Sequence, residues 1–266
     1  MTPSGVRFDR EGPVATVTLC RPDVLNAQTP QMWGRLREIS RLLPGDVRVV
    51  VVKGEGRSFS AGLDLSAGGG RSDANAAGSR EPAPPARLVT DLARMPRQEA
   101  LAAIAAAQEA FSWLRRPDLI TIARVQGHAI GAGLQLALAC DIRVLGQDAR
   151  LAMAEVTLGL VPDLGGTKRL VELVGYGRAL EMCATGRWVE AAEAQRIGLA
   201  NLVVPVAELD GAVQDLTAAV LAGHRDAVIE IKALLAGAAA RSYADQERAE
   251  REAQHRRLRD LAGLDD

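Results

Sequence analysis

Between Leu119 and Gly166 the chain switches abruptly between strand and helix patterns, with glycines at each switch. Leu119-Ile120-Thr121-Ile122-Ala123-Arg124-Val125 is an apolar, β-branched run that reads as a buried strand. A glycine-broken turn, Gly127 to Gly133, leads into a short helical pattern from Leu134 to Asp141, and Ile142 to Leu145 reads as the next strand. A strand that breaks at glycines and turns straight into a helix leaves backbone N–H groups free at a positive dipole end. Such a turn can hold an anion, or an oxygen that becomes one during reaction. Two carboxylates, Glu155 and Asp163, follow shortly after.

The rest of the chain supplies a frame for that turn. Val6 to Asp9 and Val14 to Leu19 are short β-prone runs split by Gly12-Pro13, the pattern of a hairpin. Thr29-Pro30 opens a helix with threonine as N-cap and proline at the first position. Met32, Leu36, Ile39 and Leu43 give this helix one apolar stripe, and Pro44-Gly45 ends it. Val47 to Val52 is a strand apolar on both faces. Phe59-Ser60-Ala61-Gly62-Leu63-Asp64-Leu65 is a second strand-to-turn switch, so two such sites offer free N–H groups. The Gly, Ala, Ser and Pro-rich segment from Ser66 to Ala86 is expected to be a loop. Helices are predicted over Gln98 to Arg116, from Pro162-Asp163 through Val174, over Gly177 to Ala184, and over Glu190 to Ile197. Short strands are predicted at Arg150 to Ala154 and Leu202 to Pro205. Everything after Val206 is expected to be helical. The pattern predicts an α/β core over residues 1–204 and a helical C-terminal region over 205–266.

Composition narrows the function. With 32 Lys+Arg against 33 Asp+Glu there is no basic excess to recruit nucleic acid. No apolar run approaches the ~20 residues of a membrane span, and the first residues carry no apolar signal core. Cys20, Cys140 and Cys183 lack metal-ligand spacing and fit a reducing compartment. A cytoplasmic protein without a membrane or nucleic-acid partner is expected. There is no metal-ligand cluster in the sequence and no GxxxxGK phosphate loop.

Four sets of residues, in this order, resemble the enoyl-CoA hydratase/isomerase (crotonase) superfamily. They are Arg21-Pro22 with Leu25-Asn26, Phe59 to Leu65, Gly127 to Gly133 through Cys140-Asp141, and Gly159-Leu160-Val161-Pro162 with Gly165-Gly166-Thr167. The resemblance implies a ClpP-like spiral of ββα units, a homotrimer or hexamer built through the helical C-terminal region, and acyl-CoA thioesters as substrates. Coenzyme A is then part of the substrate and no separate cofactor is implied. Position by position, the resemblance assigns the two oxyanion-binding N–H groups to Leu63 and Ala132. Two preorganised donors at a developing enolate lower the barrier by several kcal/mol. Ala132 stands where the family usually has glycine, which an alanine can replace without strain only at negative φ. The resemblance also places Arg21 near the pantetheine or phosphate portion of CoA and Ala61, Asp64 and Leu65 toward its adenine end, with Ser66 and Gln135 among the substrate contacts.

The carboxylates distinguish the chemistries. Hydratases of the family carry glutamates at the positions matching 135 and 155, and this chain has Gln135 and Glu155. A carboxamide can hydrogen-bond a substrate or water but cannot accept a proton. Hydration needs water activated and a proton delivered, work that two carboxylates share. A single carboxylate suffices to move a proton from C2 to C4 of a 3-enoyl thioester. Asp163 matches an aspartate found in isomerase branches, including those acting on dienoyl-CoA; it also reads as a plain cap of the helix after Pro162. Glu155 without the motif would read as a solvated glutamate. His128 reads as a hydrogen-bonded spacer, Asp141 as a cap at a helix–strand junction, Trp33, Trp113 and Trp188 as packing, and Lys168-Arg169 as a solvated face. Three functions stay open on the sequence: a 3,2-enoyl or dienoyl isomerase, a hydratase with one catalytic glutamate, and a non-catalytic acyl-CoA binder.

Overall fold

A computed structural model describes residues 4–65 and 87–264. The expected Ser66–Ala86 loop lies outside the described residues. The hairpin forms as expected, with β1 (Val6–Glu11) antiparallel to β2 (Val14–Leu19). The strands β3 (Val49–Gly54), β4 (Ile120–Val125), β6 (Ile142–Gly146) and β9 (Leu202–Val204) then add in parallel, in the order β1-β2-β3-β4-β6-β9. The second sheet is small: β5 (His128–Ile130), β7 (Arg150–Ala152) and β8 (Val189–Glu190).

The valine run of β3 explains its central place. With a two-residue period, Val50 and Val52 face the main core, and Val49 and Val51 face a second apolar layer. That layer holds Ile122 and Val144 of the neighbouring strands and Leu209 and Val213 of α8 (Leu209–Ala222). Both faces of the parallel sheet are therefore covered, as parallel sheets require.

Successive ββα turns stack on one another. From β4 the chain turns through Gly127 into β5 and then into α4 (Ala132–Ala139). From β6 it turns into β7 and on to α5 (Gly166–Val174). Because β4 pairs with β6 and β5 with β7, the turns form a spiral, as the resemblance implies. Gly127 sits at the corner with φ +55, and a side chain there would strike the backbone oxygen of Arg57.

The remaining helices enclose this spiral. The first, α1 (Pro30–Leu42), is capped by Thr29, whose Oγ1 accepts from the Met32 N–H at 3.3 Å. It packs against α3 (Arg97–Ser112), with α2 (Arg87–Arg94) alongside. After α5 come α6 (Tyr176–Thr185) and α7 (Ala191–Arg196), and after α8 come α9 (Arg225–Ala238) and α10 (Tyr243–Leu261). Lys232 fastens α9 to the sheet, donating to the Leu119 carbonyl at 2.6 Å and to Asp141 Oδ2 at 2.7 Å. Among the described residues, no helix is long and apolar enough to cross a membrane.

Several elements differ from the sequence reading. The Gly127–Gly133 turn contains a true strand, β5, because its three residues pair with β7. The helix expected from Pro162-Asp163 begins at Gly166, since Gly165 takes a left-handed conformation (φ +86) and breaks the path. Asp163 is therefore not its cap. Glu190 pairs with Arg150 in β8, so α7 starts one residue later. The helix α2 has no counterpart in the sequence reading.

Candidate active site

Two peptide segments meet at the centre of the molecule. Residues 59–63 run beside β5: the Phe59 N–H donates to the Gln126 carbonyl, Ser60 N–H to His128 O, and Ile130 N–H to Ser60 O, at 2.8, 2.8 and 3.0 Å. The approach is close. A Cβ built on Gly133 would lie 2.5 Å from Ser60 O, and one on Gly62 would lie 2.6 Å from Ile130 O and 3.7 Å from the Ala132 nitrogen. Only glycine fits at either place. The Leu63 peptide is thereby brought beside the first residue of α4.

Two backbone donors face each other there. Leu63 forms a bridge with Gln28, but its neighbours carry it: Gln28 N–H donates to Gly62 O (2.6 Å) and Asp64 N–H to Gln28 O (2.8 Å). Among the described residues, neither the Leu63 nor the Ala132 N–H has an acceptor. Ala132 opens α4 and is not among the positive-φ residues; the unusual conformation falls on Gly131, at φ +50 and ψ −116. Alanine at 132 therefore carries no left-handed strain.

The carboxylate next to this turn is Glu155. It stands in a short 3-10 segment, Glu155–Leu158, directly after β7. Its carboxylate overlies Gly131, where a built Cβ would lie 3.3 Å from Oε1 and 3.8 Å from Oε2. Oε1 accepts from Gln135 Nε2 at 2.7 Å, whereas Oε2 is buried and has no partner among the described residues. Burial pushes the Glu155 carboxyl above the usual range, the charge of Asp163 pushes it further, and the Gln135 hydrogen bond opposes the rise.

Gln135 is fixed at both ends of its amide. Its Oε1 accepts from the Leu164 N–H at 2.8 Å and from the Gly166 N–H at 3.3 Å. The oxygen is thus taken up at the amino end of α5, and the amide nitrogen is directed at Glu155. Asp163 lies on the segment just before α5, where its carbonyl accepts from Gln108 Nε2 at 2.7 Å. Its side chain opens into a concave wall, and the surrounding protein raises its carboxyl above the ordinary value.

These groups line one cavity of about 1570 Å³. Small-molecule sites usually measure about 300–1,000 Å³, so this one admits a long ligand. Leu63, Ala132, Gln135, Glu155 and Asp163 all reach it, as do Ala61 and Leu65. One wall is apolar and comes from α2 and α3, including Leu88, Leu92, Ala103 and Ile104.

Arg21 and Asp64 do not line it. They pair with each other, Nη1 to Oδ2 at 2.7 Å, and the same Nη1 donates to the Ala27 carbonyl at 2.6 Å. Ser66 lies outside the described residues.

Three residues that the sequence presents only as spacer or packing reach the cavity. His128 and Trp188 both line the cavity and touch edge to face, with ring centroids 5.7 Å apart. Trp188 is 46% exposed, so it is a wall residue and not core. Trp33 also reaches the cavity while donating to Gln28 Oε1 at 2.8 Å. Burial, then Arg150 and Arg57, lower the His128 pKa, and its Nδ1 stands 3.1 Å from Ser58 Oγ. The sequence carries no signal that separates Trp188 from the packing tryptophans. Trp113, by contrast, is buried, as expected. Asp141 does tie backbone at its junction, accepting from the Thr121 N–H at 2.8 Å. Lys168 is solvated.

The family model described as enoyl-CoA hydratase/isomerase matches residues 87–261. A short-chain-enoyl-CoA hydratase of Clostridium acetobutylicum is 33% identical over 209 residues, covering 77% of this chain and 71% of that protein. A protein of Bacillus subtilis described as an enoyl-CoA hydratase/isomerase is 32% identical over 222 residues, covering 82% of this chain and 76% of its own length. A protein of Thermobifida fusca described as an enoyl-CoA hydratase, solved with CoA, superposes with a TM-score of 0.86 at 46% identity, over 98% of this chain and 95% of that one. The same protein with acetoacetyl-CoA gives 0.86 at 46%, over 97% and 96%. The fold is thus the crotonase fold, and the chain belongs to the enoyl-CoA hydratase/isomerase family as one of its acyl-CoA enzymes.

Proposed function

We propose that this enzyme is an enoyl-CoA isomerase, moving the double bond of a 3-enoyl or dienoyl thioester through an enolate. The observation that carries this reading is the carboxylate beside the paired backbone donors: among the described residues Glu155 Oε2 has no partner, and its neighbour at 135 is a carboxamide. The thioester oxygen accepts from the Leu63 and Ala132 N–H groups. Glu155 removes a proton from C2, the electrons move onto that oxygen, and the proton is returned at C4 as the enolate collapses. No atom is gained or lost, so one group that accepts and returns a proton is enough. Each backbone donor in such a hole is worth about 3–4 kcal/mol at the transition state. Asp163 is proposed as a second proton carrier on the same wall.

Ala61, Leu65 and Gln135 are proposed contacts of the acyl-CoA, together with Arg21, Asp64 and Ser66. The apolar wall of α2 and α3 takes the acyl chain. Coenzyme A enters as part of the substrate and no other cofactor is called for. A homotrimer or hexamer in the cytoplasm, without nucleic-acid or membrane partners, completes the proposal.

A second reading, hydration by Glu155 alone, is favoured by the relatives' names, which are mostly those of hydratases. The oxygen of Gln135 is already held by two backbone donors, so it has little to offer an attacking water. A third reading, acyl-CoA binding without catalysis, keeps the cavity and forgoes the carboxylates.

Absorbance of the conjugated thioester separates them. Isomerisation of a 3-enoyl-CoA creates conjugation and raises the signal. Hydration of a 2-enoyl-CoA destroys it and lowers the signal. A fall in the second assay without a rise in the first would overturn the isomerase. Silence in both, with acyl-CoA bound in a calorimetric titration, would leave the binder.

A further inference from the structure

We propose that Gln135 is the positioning residue that keeps Glu155 a lone, ionised base, by fixing an N–H donor against it from the amino end of α5. The inference rests on the isomerase reading of the site and deepens it.

The direction of the amide is dictated by chemistry. The Leu164 and Gly166 N–H groups can only donate, so the Gln135 atom facing them must be oxygen. The nitrogen then points to Glu155 Oε1 at 2.7 Å. An N–H facing a carboxyl oxygen at that distance favours the ionised carboxylate. It also occupies Oε1, which leaves Oε2 as the proton acceptor.

The second fixed point is packing. A Cβ built on Gly166 would lie 2.8 Å from Gln135 Cγ and 3.2 Å from its Cβ. The start of α5 therefore closes over the Gln135 side chain. Gln135 is itself 1% exposed on an α4 that is buried along its whole length. The stem of the side chain is thus held by packing and its amide by the two N–H donors.

A glutamate at 135 would reverse the electrostatics. One of its oxygens would take the two backbone donors, which stabilise it as a carboxylate. The other would face Glu155 Oε1 across a hydrogen-bond distance. Two carboxylates that close cannot both be ionised at neutral pH. The backbone donors favour charge on residue 135, so the proton would reside on Glu155, which then ceases to be a base. Two other titratable groups face Glu155, namely Asp163 from the segment before α5 and Cys183 from α6. Both are present in the wild type and the variant, so the difference isolates position 135.

The test is a titration of Glu155 itself, by 13C NMR of the carboxyl carbon in glutamate-labelled protein. The signal is assigned by its loss in Glu155→Gln. The Gln135→Glu variant is expected to raise the Glu155 midpoint by at least one pH unit and to move the acid limb of kcat/KM for a 3-enoyl-CoA upward with it. Gln135→Met, which fills the same space without a donor, is expected to raise the midpoint by a smaller amount. A wild-type midpoint in both variants would overturn the proposal, as would a loss of turnover with an unmoved pH profile. A midpoint that moves in a protein inactive on every enoyl-CoA would uphold the positioning role and reject the isomerase instead.

Discussion

The carboxylate of Glu155 rests over the backbone of Gly131, so close that a Cβ at 131 would lie 3.3 Å from Oε1 and 3.5 Å from Cδ. That glycine also holds φ +50 and ψ −116, and it delivers the next peptide, the Ala132 N–H, to the cavity. One residue thus sets the spacing between the base and one oxyanion donor. Gly131→Ala should cost about 1–3 kcal/mol of backbone strain and push the carboxylate aside. The expected result is a lower midpoint in denaturant unfolding and a drop in turnover of about a hundredfold, as a misplacement near 1 Å produces. Wild-type turnover in a folded variant would contradict the shared spacing.

Glu155→Gln removes the base and keeps the shape. Turnover should fall by about 10²–10⁴, with acyl-CoA affinity retained in a calorimetric titration. Stability should move the other way. The folded state raises the Glu155 pKa, chiefly by burial, so it binds the proton more tightly than the unfolded chain does. Ionisation therefore costs stability, and the cost is complete above the raised pKa. The glutamine variant should melt higher than wild type at neutral pH. That advantage should shrink as pH falls toward the ordinary glutamate value of about 4.3. A variant less stable at neutral pH and unchanged in acid would reverse the sign and reject the burial argument.

Arg21 and Asp64 offer a test between binding and architecture. Their pair joins the loop before α1 to the segment carrying Leu63, with the Asp64 side chain 9% exposed and that of Arg21 25%. Arg21→Ala removes this ion pair together with the bond to the Ala27 carbonyl, and should lower the unfolding midpoint by the equivalent of about 1.5–3 kcal/mol, the worth of a hydrogen bond to a charged group. If Arg21 serves chiefly to hold the oxyanion segment, acyl-CoA affinity should fall less than tenfold. A large loss of affinity at unchanged stability would instead make Arg21 a direct contact of the CoA.

Much of this was legible in the sequence because local chemistry agreed with the final packing. Thr29-Pro30 began a helix where it should, the valine run became a central strand, and both glycine-bearing switches came together. The parts that were not legible depend on partners distant in sequence. Whether Asp163 caps a helix turned on the conformation of Gly165. The role of Gln135 depends on N–H groups 29 and 31 residues away. Trp188 reads as one more apolar residue until β8 pairs with β7 and leaves its ring against His128. Strands as short as β5 and β8 carry too few residues to show a period.

The ββα unit that presents Ala132 is held from behind by Lys232. Its ammonium is buried on α9 and joins the Leu119 carbonyl, at the entry to β4, with Asp141, at the exit from α4. The same Asp141 oxygen also accepts from the Thr121 N–H and hydroxyl, at 2.8 and 2.9 Å. Lys232→Met keeps the aliphatic stem and removes the charge. Asp141 would keep its two Thr121 donors but lose its counter-charge, so the loss should reach about 3–5 kcal/mol, the cost of stranding one member of a buried pair. Adding Asp141→Asn to that variant should recover part of the loss, because the stranded charge is gone. Denaturant unfolding of the two single variants and the double variant completes the cycle. Strictly additive losses would show that the two side chains act independently and that α9 is held to the sheet by apolar packing alone.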